Sequence, residues 1–169
     1  MGVDVIVIIG LCVMSVRLWR LWGRRISLPQ TELPKELRNA HLVYSERLFR
    51  SFGSTQITAR VDRAYRNAVG ELVLVELKTR KRHRTYLSDV IELSAQRVAL
   101  TAQTGEVVAD HAYVLTARVD DYSGMCHRVS LMTVAAVIAL AARRDELLAG
   151  NVVPRSGCFS KGCRCLEQI

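Results

Sequence analysis

Asp62 and the triplet Glu76-Leu77-Lys78, fourteen residues further on at the end of an apolar run, are the residues whose types and spacing could do chemistry. The flanking segments 58–66 and 71–80 read as strands joined by the turn Asn67-Ala68-Val69-Gly70. With a three-residue loop, Ala68-Val69-Gly70, and Gly70 supplying a positive φ, Asn67 pairs with Glu71 and Asp62 falls directly opposite Glu76. Strand alternation then gives Glu76 and Lys78 one face, shared with Asp62 and Arg60. Two carboxylates at roughly 5 Å repel across a sheet. A hard divalent cation converts that repulsion into coordination. The expected chemistry is a metal site with a lysine beside it.

A solvated hairpin face also carries Asp, Glu and Lys, and a one-residue slip would part the carboxylates. The neighbours argue for the site. Leu72 and Leu74 share the face of Glu76, while Val73, Val75 and Leu77 line the other. Both faces therefore read as buried, and charges there are costly unless partnered.

These residues, an Asp followed on the next strand by Glu-x-Lys, resemble the PD-(D/E)xK nuclease superfamily. Downstream come the basic stretch Thr79-Arg80-Lys81-Arg82-His83-Arg84 and, after Ser88-Asp89, a helical segment carrying Gln96. RecB-like exonucleases, including the CRISPR-adaptation exonucleases, similarly place a glutamine on the helix after that strand. The resemblance covers roughly residues 40 to 165. It implies an α/β fold with a restriction-endonuclease-like core, a mixed central sheet flanked by helices. It also implies metal-dependent hydrolysis of phosphodiester bonds, DNA being the expected substrate. Asp62, Glu76 and the backbone carbonyl of Leu77 would hold Mg²⁺ or Mn²⁺. Lys78 and Gln96 would assist the attacking water. The chain departs from the family in having Val61 rather than proline before Asp62, and Ala99 and Leu100 where a tyrosine often follows the glutamine. His41 and Glu46 stand where some members add an upstream ligand, but both read as solvated residues.

Arg80, Lys81, Arg82 and Arg84 leave the Glu-x-Lys strand as a cationic run suited to a phosphodiester backbone. Anionic lipid is the alternative partner for such a run. Aromatic content is 6%, so no base-stacking platform is expected. The whole chain has 24 Lys and Arg against 16 Asp and Glu, a net charge of +8, which favours anionic partners of either kind.

Its 169 residues suit one folded domain, placed over 41–169 after an irregular linker over 26–40 that contains Pro29 and Pro34. Residues 1–25 hold an apolar run, Val5–Val16, followed by tryptophans and four arginines. That pattern is expected of a hydrophobic helix serving as membrane anchor, with the globular part cytoplasmic at the inner membrane. A buried N-terminal helix is the other reading. The absence of a basic region before the run speaks against a cleaved signal.

Five cysteines, an odd number, argue against a disulfide framework in that compartment. Cys12 lies in the apolar run, and Cys126 stands alone. Cys158, Cys163 and Cys165 lie within eight residues among glycines and a lysine, which suits a loop wrapping Zn²⁺ or an iron–sulfur cluster. Several RecB-like nucleases resemble this, gathering three C-terminal cysteines and a fourth from elsewhere around a cluster. Free tail thiols are the alternative.

The remaining elements follow from periodicity. Segment 88–103 has helical spacing with Ser88 as N-cap and Gly105 as the stop. Segments 112–118 and 128–132 read as strands around the turn 120–124, and 133–148 as a helix ended by Gly150-Asn151. Segment 41–52 suits either a strand or a short helix. Two further functions remain open beside the nuclease: a catalytically silent tether of the same fold holding nucleic acid at the membrane, and a small metal or redox protein built on the cysteine tail.

Overall fold

The computed structural model describes residues 33–53, 55–118 and 123–152. The expected N-terminal hydrophobic helix and the cysteines Cys158, Cys163 and Cys165 lie outside them. Five strands form one mixed sheet in the order β1-β2-β3-β4-β5: His41–Arg50, Thr58–Arg66, Leu72–Arg80, Val108–Arg118 and Gly124–Ser130. The first three are an antiparallel meander. Helix α1, Leu87–Thr104, then carries the chain across so that β4 lies parallel to β3, and β5 returns antiparallel. Helix α2, Val134–Leu148, closes the described chain. The molecule is thus α/β with a five-stranded mixed sheet and helices packed on it.

Leu72, Val73, Leu74 and Val75 are all fully buried, because β3 is central and covered on both faces. Leu72 and Leu74 join Val61, Ala64, Val114 and residues of α1 and α2 in one core. Val73 and Val75 join Tyr65, Tyr113 and Leu115 in the other, capped by Leu33 and Leu37. Residues 35–37 form a 3-10 turn that brings Leu37 to full burial. Where it is described, the expected linker is therefore part of the fold rather than a tether.

The segment left undecided is β1, a mostly exposed edge strand that carries a break at Glu46, whose φ is +52°. β4 begins four residues earlier than expected and β5 spans 124–130 rather than 128–132. Thr133 caps α2 by accepting the Ala136 N–H, and Gly105 ends α1 at φ +72°. Ser88 is not the cap of α1. Tyr86 holds that position, and the Asp89 carboxylate accepts the Tyr86 N–H at 2.8 Å. No helix among the described residues is long and apolar enough to cross a membrane.

Candidate active site

Gly70 turns the β2–β3 hairpin at φ +90°, and the Asn67 N–H donates to the Glu71 carbonyl at 2.9 Å. Asn67 Oδ1 also accepts the N–H groups of Val69 and Glu71. The ladder then runs from Arg66↔Leu72 to Arg63↔Val75, so one further step sets Asp62 opposite Glu76. At that step pairing gives way to a side chain: Asp62 Oδ2 accepts the Leu77 N–H at 3.1 Å. Arg60 does not join this face. Val61 and Ala64, three residues apart, both pack into the helix-side core, so alternation in β2 breaks between them and leaves Arg60 exposed. The missing pair beside the break is Asp62 with Glu46, where β1 has its positive φ.

Helix α1 lies antiparallel to β3 and matches it side chain for side chain. Gln96 Nε2 donates to Glu76 Oε2 at 2.8 Å, Lys78 Nζ donates to Glu92 Oε2 at 2.7 Å, and Arg80 forks onto both Asp89 oxygens. The spacings agree: seven helical residues rise about 10 Å and four strand residues about 13 Å. Lys78 Nζ also meets Glu76 Oε1 at 2.7 Å. Glu76, 3% exposed, is therefore a buried carboxylate bracketed by an amide and an ammonium, with Asp62 beyond.

Burial pushes the Glu76 carboxyl up to about 7; the hydrogen bonds from Lys78 and Gln96 pull the other way, and the Asp62 charge adds to the rise. Burial alone would lower Lys78, but its hydrogen bonds to Glu76 and Glu92 outweigh that and raise it, so the ammonium stays charged. Gln96 Oε1 is buried without a hydrogen-bond partner. An orphaned acceptor beside a buried carboxylate suits a water or hydrated cation in the site. Among the described residues no group of three or more His, Cys, Asp or Glu gathers as a metal cluster. The expected donors, the Asp62 and Glu76 carboxylates and the Leu77 carbonyl, are all oxygens, the type Mg²⁺ takes while keeping several waters.

The basic stretch divides. Arg80 is spent on Asp89 and on the Arg84 carbonyl, so it braces the loop instead of offering a free cation. Lys81, Arg82 and Arg84 are exposed, and the Arg84 guanidinium stacks on Tyr86 at 4.6 Å. Arg84, Tyr86, Ile91 and Arg128 contribute to a cleft of about 700 Å³ beside this loop. An apolar cleft of about 460 Å³, with Phe52, Val107 and Ile138 in its walls, shares no residue with the carboxylate cluster.

His41 and Glu46 are both exposed on β1. Ala99 and Leu100 are both fully buried in the helix-side core. Cys126 is half-buried on β5, and burial pushes its thiol up to about 11. Sequence reasoning missed Glu92 and Asp89 as partners. It also missed a second polar group on β4 and β5: buried Thr116 Oγ1 lies 2.8 Å from His83 Nδ1 and 3.2 Å from His127 Nε2. Thr116 is the ladder neighbour of Lys78. Burial and the nearby His83 and Arg80 hold the His127 imidazole below its ordinary range.

No family model matches the chain, and no curated protein matches it. Among solved structures, that of SSO0001 is similar with a TM-score of 0.46 and 13% identity, over 64% of this chain. The chain spans about half the length of SSO0001, and a likeness of this size carries no argument.

Proposed function

We propose that the chain is a metal-dependent nuclease of the PD-(D/E)xK type, built on a restriction-endonuclease-like core and acting on DNA. The observation that carries the reading is the buried Glu76 with Lys78 at 2.7 Å and Asp62 at the adjoining register position. A structural ion pair has no need of a second carboxylate facing the first. Asp62, Glu76 and the Leu77 carbonyl would hold Mg²⁺ or Mn²⁺, which when bound supplies Lewis acidity to the scissile phosphate and to a water. Lys78 then orients the attacking water and offsets charge developing on the phosphoryl oxygens. Gln96 holds Glu76 in place through Nε2 and offers Oε1 to that water. Lys81, Arg82 and Arg84 take the backbone phosphates without reading sequence.

The same reading includes attachment of the domain to the inner membrane by residues 1–25 and a Zn²⁺ or iron–sulfur group at Cys158, Cys163 and Cys165. Both features belong to residues outside those described. Cleavage of DNA by the full chain with Mg²⁺ or Mn²⁺, compared with Asp62→Asn and Glu76→Gln, tests the reading. Loss of cleavage in both variants is expected. Undiminished cleavage in either removes that carboxylate from the site. A chain that binds DNA without divalent cation and leaves it intact with cation is the silent tether.

A further inference from the structure

Lys78 on β3 contacts two carboxylates at once, Glu76 Oε1 on its own strand and Glu92 Oε2 on α1, each at 2.7 Å. The other oxygen of Glu76 is engaged by Gln96. A divalent cation reaching Glu76 therefore shares the carboxylate with an ammonium already in contact. Two cations on one buried carboxylate repel each other. Lys78 has to give way, and the structure supplies where it goes. Glu92 stands one helical turn before Gln96 on α1, 48% exposed, at the outer side of the cluster. Its carboxylate already holds the ammonium, so leaving Glu76 needs no new partner.

We propose that Glu92 is a positioning residue: it draws the Lys78 ammonium off Glu76 when a divalent cation binds and holds it at the mouth of the site. This rests on the metal-site reading above. Without Glu92, the direct ion pair left to Lys78 among the described residues is Glu76, and it competes with the cation for that carboxylate. Glu92 thus acts on cation affinity through Lys78, and a residue serving only to join α1 to β3 would not.

The test is Mn²⁺ binding to the full chain without nucleic acid, read from the loss of the free-ion electron paramagnetic resonance signal. The parent, Glu92→Gln, Lys78→Met and the double variant form a cycle. Glu92→Gln is expected to weaken Mn²⁺ binding about fivefold in the parent, the scale of a half-exposed charge pair. In the Lys78→Met background the same change is expected to have little effect. An equal loss in both backgrounds would show Glu92 acting on the cation directly, and no loss in the parent background would show no role; either overturns the proposal. A parent chain that binds no Mn²⁺ overturns the metal site itself, and the proposal with it.

Discussion

Glu76, Lys78 and Arg80 each meet one side chain of α1, and the last of these pairs lies outside the proposed metal site. Asp89 is almost fully buried, and Arg80 closes a fork on it. Burial would raise the Asp89 carboxyl, but the Arg80 and Tyr86 hydrogen bonds outweigh it and hold it below the ordinary carboxylate range. A depressed carboxylate contributes stability that is present above its unfolded value and lost as pH falls through the folded one. Asp89→Asn is therefore expected to cost about 3 kcal/mol near neutrality, as breaking a buried pair does. That deficit should shrink in acid below about pH 4, where the parent loses the same interaction. Urea unfolding of both chains at pH 7 and pH 3 checks this. Glu76 and Lys78 were legible as candidate site residues because their charges interrupt an apolar pattern, Asp62 because the hairpin register sets it opposite Glu76, and Gln96 only through the nuclease resemblance. Glu92, Asp89 and Thr116 were not, since their partners depend on how α1 and β4 cross β3, which no local spacing encodes.

The hairpin β2–β3 sets the register on which the site depends. Gly70 has open space around a notional Cβ but a φ of +90°, so a side chain there meets backbone strain and no clash. Gly70→Ala should cost about 1 kcal/mol, seen as a lower denaturation midpoint with unchanged slope. The hairpin was readable because Asn67 and Gly70 punctuate two apolar strands. The break in β2 was not. Val61 and Ala64 face the same core on either side of the missing pair of Glu46 with Asp62, and a strict period of two put Arg60 on the wrong face. β1 was ambiguous for a related reason, as an edge strand with a charged and mostly exposed sequence.

At the scale of the whole molecule, the meander, crossover helix and parallel strand place the carboxylates and the exposed part of the basic loop along successive stretches of one chain. The order of β3, α1 and β4 was legible because helical and strand periods alternate cleanly there. The packing of Leu33 and Leu37 under the second face was not, since Pro29 and Pro34 read as punctuation. If Lys81 and Arg82 contact phosphates, Lys81→Gln with Arg82→Gln should reduce the slope of log affinity against log salt by about 2 on duplex DNA. Fluorescence anisotropy across salt concentrations, with Ca²⁺ in place of Mg²⁺, measures it. An unchanged slope would move the phosphate contacts elsewhere.

In the proposed function one carboxylate pair, a divalent cation and one lysine perform phosphodiester hydrolysis. The most direct measurement is cleavage of end-labelled single- and double-stranded DNA by the full chain under Mg²⁺ and Mn²⁺, beside Lys78→Ala, with DNA binding followed in the same samples. Expected are cleavage by the parent with either metal, a rate lower by about 10²–10³ in Lys78→Ala, and binding retained in both. DNA bound but left intact by the parent under both metals would contradict the claim.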